Sequence, residues 1–297
     1  MQIFYGIISN AIDVTEICKT QLIDNNIMTI PSGDSNRAHY FSDPIVGTVK
    51  SVFILLNNEF TEYDHTQTIR LVIDDIITKL YKYHSNLKLN YGSFSHEFPE
   101  QKMSVRYLTG NEKVLEIGGN IGRNSLIISS ILGNENQLNF VCLESDREIS
   151  YQLSENRDIN GFRFHIENSA LSKRQLIQKD WNTIVSDTVL DGYTRVNTIT
   201  LDELNAKYNV VFDTLVLDCE GAFYYILMDM PEILDNIRLI IMENDYIEIY
   251  QKIYVDEVLS RNNFYVDYTE SLEFEERCCK NNFFEVWKRK DVVHLHL

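Results

Sequence analysis

A glycine-rich segment between an apolar run and a helical pattern constrains the fold of this chain more than any other feature. Residues 114–117 read Val-Leu-Glu-Ile and favour a buried strand, and apolar side chains recur with helical spacing from residue 124 onward. Gly118, Gly119 and Gly122 lie between these two runs. In open α/β sheets such a turn places main-chain atoms beside a ligand at the carboxyl end of a strand. The segment therefore predicts a strand, a ligand-binding loop and a helix in immediate succession.

The spacing of the glycines excludes two common phosphate-binding loops. A dinucleotide fingerprint, Gly-x-Gly-x-x-Gly, counted from Gly118 needs glycines where Asn120 and Arg123 stand. A Walker loop needs a lysine followed by serine or threonine after its last glycine, and no such pair follows Gly122. The remaining pattern, Glu-x-Gly-x-x-x-Gly from Glu116 to Gly122, resembles the loop of methyltransferases that use S-adenosylmethionine (SAM).

Strand and helix patterns alternate after residue 104, which predicts a mostly parallel sheet covered by helices. The strand candidates are 113–117, 139–143, 162–166, 214–218 and 239–243. The helix candidates are 124–132, 147–156, 201–208, 224–230 and 249–261. Two further strands, 264–268 and 283–288, complete a seven-stranded sheet that closes with a late hairpin.

The first 90 residues are predicted to form a small accessory α/β domain, and residues 91–297 to form the second domain. The stretch 30–37 is rich in turn residues, and apolar side chains over 68–83 fit a helical period better than a strand. Residues 84–104 are interpreted as a connection. Two roles stay open for the accessory domain: stability or dimerisation, and binding of an acceptor.

Acidic residues end several of the predicted strands, where their side chains would meet at one edge of the sheet. Glu116 leads the glycine loop, and Glu144 follows the next strand, where a carboxylate can accept both hydroxyls of a ribose. Asp218, Glu220 and Glu243 follow two later strands and could orient a hydroxyl group and remove its proton. Helix capping is the competing interpretation for Glu144 and for Glu243, at about even odds for Glu243.

Four segments together resemble the FkbM family of SAM-dependent methyltransferases over about residues 111–288. They are 114–125, Glu144 with the later Asn156, the Thr-Leu-Asp at 200–202, and the Asp-Cys-Glu-Gly at 218–221. The resemblance implies a class I (Rossmann-like) methyltransferase fold and O-methylation of a small molecule, frequently at a sugar hydroxyl. Val216 and Phe223 depart from the family, which usually carries lysine and glutamate there. These departures are compatible with a changed acceptor.

The predicted function is therefore SAM-dependent O-methylation of a sugar, sugar nucleotide or glycan. The residues assigned to SAM are Glu116, Gly118, Gly119, Asn120, Gly122, Glu144, Ser145, Ser169 and Ala170, the pair 169–170 by the resemblance alone. The residues assigned to catalysis are Asp218, Glu220 and Glu243. No metal ligand is assigned, although the spacing of the acids does not exclude a divalent ion. The alternatives are N-methylation of an amino sugar or other amine, and a SAM-binding assembly module without activity.

Composition limits the partners and the compartment. A formal net charge of −17 repels phosphate backbones, so a nucleic acid acceptor is not expected. Five cysteines without a Cys-x-x-Cys pair are typical of a reducing compartment. No signal sequence begins the chain and no apolar run is long enough to span a membrane, so a cytoplasmic location is expected. Spare apolar strands in the N-terminal domain would allow a homodimer.

Overall fold

The computed structural model of the protein describes residues 1–24, 26–56, 59–272 and 277–290. The chain divides into two compact units, Met1–Asn86 and Leu87–Leu297. This division lies slightly before residue 90, because Leu87 and Leu89 pack against the hydrophobic core of the second unit. No helix among the described residues has both the length and the apolar character that crossing a membrane requires.

The first unit consists of two antiparallel sheets and short helices. In chain order its elements are β1 (Gln2–Ile7), β2 (Asn10–Asp13), α1 (Thr15–Gln21), β3 (Ile23–Asp24), β4 (Ile27–Ile30), α2 (Asp34–Phe41), β5 (Ser51–Leu56), β6 (Glu59–Tyr63), β7 (Ile69–Val72) and α3 (Asp75–Asn86). The sheets have the orders β2-β1-β5-β6 and β3-β4-β7.

Two predictions for the first unit were wrong in part. The predicted turn-rich stretch 30–37 contains the start of α2, which begins after Gly33 and whose Arg37 is fully buried. Arg37 donates hydrogen bonds to the main-chain oxygens of Pro31 and Gln67, so the tertiary structure stabilises a helix that local sequence does not favour. The predicted helix 68–83 is divided between β7 and α3, because β7 pairs with β4 along its whole length.

The second unit alternates strands and helices. In chain order its elements are α4 (Phe98–Tyr107), β8 (Val114–Ile117), α5 (Arg123–Asn136), β9 (Phe140–Leu143), α6 (Arg147–Ile159), β10 (His165–Glu167), β11 (Ala170–Leu171), β12 (Leu176–Lys179), β13 (Asn182–Val185), β14 (Thr194–Val196), β15 (Thr198–Ile199), α7 (Leu201–Tyr208), β16 (Thr214–Leu217), α8 (Ala222–Asp229), β17 (Leu239–Glu243), α9 (Ile249–Arg261), β18 (Phe264–Glu270) and β19 (Phe284–Arg289). Two small sheets, β12 with β13 and β14, and β11 with β15, were not predicted.

A seven-stranded sheet organises the second unit in the order β10-β9-β8-β16-β17-β19-β18. Six strands are parallel, and β19 runs antiparallel to both of its neighbours. This is the class I, Rossmann-like methyltransferase fold, and the predicted fold class and late hairpin are confirmed. The chain proceeds from β8 toward one edge of the sheet and from β16 toward the other. The boundary between β8 and β16 is therefore a topological switch point, where open α/β sheets bind their ligands.

Both faces of this sheet are buried. Successive side chains of a strand point to opposite faces, so Leu115 and Ile117 join one hydrophobic cluster while Val114 joins the other. The central strands β8, β9 and β16 are buried at every position. An acid in such a strand, as Glu116 is in β8, is removed from water by the packing of the sheet itself.

Candidate active site

A cavity lies at the carboxyl ends of β8, β16 and β17, beside the switch point. The space between its walls is about 320 Å³ when the solvent in its open mouth is included. Helix α4 contributes part of its wall. Its lining includes four carboxylates and two glycines: Glu97, Glu100, Glu116, Asp218, Gly118 and Gly119.

The first two glycines of the loop are required by the packing of the protein itself. A Cβ on Gly118 would lie 1.6 Å from the main-chain oxygen of Asp218, and one on Gly119 would lie 2.1 Å from Sγ of Cys142. The N–H groups of both glycines donate to the carbonyl oxygen of Leu143, at 3.0 and 2.9 Å. The loop is thus held against the ends of its neighbouring strands, with no room for a side chain at either position.

The second half of the loop turns the chain into α5. Asn120 has a left-handed backbone (φ +46°) and Gly122 has a φ of +93°. A Cβ on Gly122 would lie 2.4 Å from Cδ1 of Leu153, so this glycine also permits close packing. Neither Asn120 nor Gly122 is among the residues that line the cavity.

Glu116 lies in the cavity wall with only 2% of its surface exposed. Its carboxylate accepts hydrogen bonds from the Ser125 hydroxyl and from the amide of Asn124. Burial raises the pKa of Glu116 to about 7, against which these hydrogen bonds act. The group therefore gains or loses its proton near neutral pH.

Glu144 lies at the end of β9, one βα unit after the glycine loop. Its two carboxylate oxygens accept main-chain N–H bonds from Asn120 at 2.9 Å and from Asp146 at 2.8 Å. Burial raises its pKa despite these bonds. Each carboxylate oxygen has a second lone pair, so Glu144 can still accept from two further hydroxyls. The hydroxyl of the neighbouring Ser145 donates to Oε1 of Gln178 at 2.9 Å.

Ser169 and Ala170 lie away from the cavity lining. The hydroxyl of Ser169 donates to Oε1 of Glu167 at 2.9 Å. Ala170 begins β11, and its N–H donates to the carbonyl oxygen of Asn197 at 2.8 Å. In this structure Ala170 therefore belongs to the small β11–β15 sheet, and Ser169 binds the end of β10.

Three carboxylates from separate elements converge beside the cavity. One oxygen each from Glu100, Asp218 and Glu243 lie within 4.8 Å of one another. Burial raises the pKa of Asp218 well above its usual range, and the charge of Glu243 adds to this effect. Burial and contact with Glu100 raise the pKa of Glu243 to about 10, and burial raises that of Glu100 to about 7. Because they are buried and their negative charges repel one another, the three carboxyl groups lose their protons less readily than isolated acids do.

The third acid assigned to catalysis, Glu220, lies outside this cluster. It is exposed and has a left-handed backbone (φ +50°) at the turn before α8. Desolvation and contact with Asp245 raise its pKa to about 8. Asp245 forms an ion pair with Arg277, and hydrogen bonds with Glu220 and Arg277 lower its pKa although desolvation opposes this. Glu220 thus belongs to a second acidic pair near α8.

Two acids that line the cavity, Glu97 and Glu100, were not predicted. Residues 84–104 were predicted to be a connection, but α4 begins at Phe98 with Pro99 in its first turn. Proline is favoured at that position because its fixed φ suits a helix start, so Pro99 could have predicted a helix here. Oε1 of Glu97 accepts a hydrogen bond from Nδ2 of Asn120 at 3.0 Å and pairs with Arg123, which ties α4 to the glycine loop.

The two departures from the resembling family both lie in packed positions. Val216 is 3% exposed and lines the cavity from β16. Phe223 lies in the first turn of α8, is 1% exposed and packs into the core. Because Val216 stands where the family usually has lysine, no positive side chain at this position faces the acids of the cavity.

No protein-family model and no curated protein sequence matches this chain. The chain is similar in structure to a ribosomal protein L11 methylase from Lactobacillus delbrueckii subsp. bulgaricus, with 13% identity, coverage of 68% of this chain and 82% of that chain, and a TM-score of 0.42. It is similar to an O-methyltransferase from Bacillus cereus in complex with SAH, with 11% identity, coverage of 72% and 89%, and a TM-score of 0.39. The fold class rests on the strand order and register of the sheet, and membership of the FkbM family is not shown.

Proposed function

We propose that this protein is a SAM-dependent methyltransferase that methylates a hydroxyl group of a small molecule, namely a sugar, sugar nucleotide or glycan. The observation that carries the proposal is the acidic cavity at the switch point, lined by four carboxylates and the glycine loop. SAM carries a positive sulfonium and a positive ammonium group, which these carboxylates attract. A dinucleotide would bring a diphosphate of the opposite sign, which they repel.

The residues around the cavity have separate tasks in this proposal. Glu116 faces the ammonium group of SAM, and the first turn of α5 offers N–H groups to its carboxylate. Glu144 accepts the two ribose hydroxyls through its remaining lone pairs. Ser169 and Ala170 are assigned to the adenine by the FkbM resemblance alone, and Ser145 is assigned to SAM beside Glu144.

Asp218 and Glu243 are the proposed catalytic acids. The acceptor oxygen attacks the methyl carbon, a C–O bond forms as the C–S bond breaks, and S-adenosylhomocysteine leaves as a neutral thioether. The hydroxyl proton passes to one of the two carboxylates. A carboxylate with a raised pKa is a stronger base once it is ionised, which suits it to an alcohol. Alignment of the two reactants supplies most of the remaining rate.

Binding of SAM is the first test. We expect calorimetry to detect saturable SAM binding by the wild-type protein and a rise in Tm. Glu144→Gln should weaken binding by about tenfold, which corresponds to about 1.4 kcal/mol. The control is Glu135→Gln, since Glu135 is exposed on the last turn of α5 and should leave SAM affinity unchanged. Absence of binding at millimolar SAM would refute the proposal.

Methyl transfer to two acceptor panels is the second test. Neutral sugars and sugar nucleotides should accept labelled methyl groups, and Asp218→Asn should abolish transfer while SAM affinity is retained. The acidic cluster would also attract an amine, so amino sugars form the second panel. Transfer to nitrogen in that panel alone would replace O-methylation by N-methylation. SAM binding with no transfer to either panel would favour an assembly module, with the first unit making the contacts.

A further inference from the structure

We propose that Glu100, Asp218 and Glu243 form a binding site for one divalent metal cation of the oxygen-preferring type, such as Mg²⁺, Mn²⁺ or Ca²⁺. The sequence assigned no metal ligand to this chain. The role of the cation in methyl transfer rests on the proposed function, whereas its binding does not.

The distances between the three carboxylates suit a single ion. Two oxygen ligands of one Ca²⁺ lie at most about 5 Å apart, twice the metal–oxygen distance of about 2.3–2.6 Å. One oxygen from each of Glu100, Asp218 and Glu243 meets this requirement, because the three atoms lie within 4.8 Å of one another. Asp218 follows β16, Glu243 ends the adjacent parallel strand β17, and Glu100 comes from α4, which packs against β17. Three oxygens on three elements leave further positions of the ion open to water or an acceptor.

A second observation points to a missing ligand at the same place. Glu100 is 6% exposed, and its Oε2 is buried without a hydrogen-bond partner. Such an atom costs about 1–3 kcal/mol when it is left unsatisfied, and more when it is charged. Glu100 also lines the cavity together with Asp218. Among the described residues this oxygen has no hydrogen-bond donor, and the Glu100 carboxyl lies against another acid, Glu243. A cation in the cluster would supply the positive partner that Glu100 lacks.

The charges around the cluster favour a cation as well. Two further carboxylates, those of Glu97 and Glu116, line the same cavity as Glu100 and Asp218. Carboxylates this close repel one another strongly at low effective dielectric constant, and a divalent ion reverses the sign of the interaction.

The proposed ion has a task in the proposed reaction. A hydroxyl oxygen of the acceptor would occupy one of the open positions, where the positive charge makes the hydroxyl more acidic and orients it toward the methyl group. The proton leaves to a carboxylate or to water, and the oxygen then attacks the methyl carbon as above. The acceptor class is thus a molecule with a hydroxyl that can reach a metal ion at the mouth of the cavity.

Titration of the full-length protein with Mn²⁺, followed by electron paramagnetic resonance, tests the site directly. We expect one tightly held equivalent in the wild-type protein without SAM or acceptor. Glu100→Gln and Asp218→Asn should each reduce Mn²⁺ affinity by more than about tenfold. Glu135→Gln is the matched control, because Glu135 is an exposed acid elsewhere in the same unit. Circular dichroism establishes that each variant is folded, and the wild-type titration decides the question even where a variant is not.

The outcomes separate this inference from the proposed function. No Mn²⁺ binding to the wild-type protein overturns the site, as does wild-type affinity in both folded variants. A rise in Tm with methylammonium but not with Mn²⁺ also overturns it, since the cluster then recognises an organic cation. Mn²⁺ binding that depends on Glu100 supports it, even if SAM fails to bind. SAM binding without Mn²⁺ binding leaves the methyltransferase proposal intact and removes the metal.

Discussion

The main-chain oxygen of Asp218 occupies the space that a Cβ on Gly118 would need, at 1.6 Å from its ideal position. The glycine loop of β8 and the acidic end of β16 are therefore in direct contact across the switch point. Gly118 belongs to the proposed SAM side of the site and Asp218 to the proposed acceptor side. A side chain at position 118 would therefore displace the main chain at Asp218.

Gly118→Ala should destabilise the second unit by more than about 3 kcal/mol, because the new methyl group collides with main chain and Gly118 has a φ of +90°. Both tryptophans, Trp181 and Trp287, lie in the second unit, so urea unfolding followed by tryptophan fluorescence reports on it. Gly161→Ala is the control: its φ is +69° but its Cβ meets nothing within 4 Å, so only about 1–2 kcal/mol of backbone strain is expected. Equal losses in the two variants would contradict the collision.

Glu116 should make the ligand-free protein less stable as pH rises. Its pKa is raised to about 7, so the native protein keeps a proton that the unfolded chain releases above about pH 4.5. The native state then binds more protons, and its stability is full below pH 4.5 and falls as pH rises to about 7. Between pH 4.5 and pH 7, ionisation of Glu116 should lower the free energy of unfolding by about 3 kcal/mol. Urea unfolding at pH 5, 6, 7 and 8 should show a shallower decline in Glu116→Gln than in the wild type. A decline that is equally steep in both would place the titration elsewhere.

Asn156 should stabilise the glycine loop from a distance. It is fully buried, and its Nδ2 donates to the carbonyl oxygens of Ile121 at 2.9 Å and Tyr91 at 3.2 Å. Its Oδ1 accepts from the N–H groups of Asn90 and Tyr91. Asn156→Leu leaves these buried main-chain groups without a partner and should cost about 2–4 kcal/mol.

Fluorescence-detected urea unfolding measures the effect of Asn156→Leu, and SAM affinity should fall with it because the loop loosens. Asn236→Leu is the control at an exposed position and should change stability by less than about 0.5 kcal/mol. Wild-type stability in Asn156→Leu would show that water replaces the amide.

Lys252 should be far more important to stability than a surface lysine. Its Nζ lies 3.0 Å from Oε2 of Glu285, and both side chains are at most 5% exposed. Lys252→Ala leaves Glu285 buried without a cation and should cost about 3–5 kcal/mol in urea unfolding. Arg261→Ala, at an exposed pair with Glu257 on the same helix α9, should cost less than about 1 kcal/mol. Similar losses in both variants would mean that Glu285 takes up a proton at little cost.

The sheet and much of the site could be predicted from the sequence because both depend on local patterns. Four-residue apolar runs followed by acids and glycines predict the strands. Because these strands are parallel, their carboxyl ends meet at one edge of the sheet. That pattern alone brought Glu116 and Asp218 to one cavity. The helices 201–208 and 249–261 were predicted with the bounds that they have, since their caps and periodicity are encoded within each segment.

Other parts of the fold and site depend on contacts that are distant in sequence. Pairing with β4 made β7 a strand inside a helical pattern. The left-handed turn at Glu220 directs this acid toward Asp245, although it lies two residues from Asp218. Glu100 entered the site because α4 packs over the ends of β16 and β17.

The sequence by itself determined the α/β order, the glycine loop and the edge of the sheet where ligands meet the main chain. Only the tertiary structure decided which acids share a cavity and which do not. The physical reason is that strand ends are set by local apolar runs, whereas the convergence of Glu100, Asp218 and Glu243 is set by how a helix packs on the sheet.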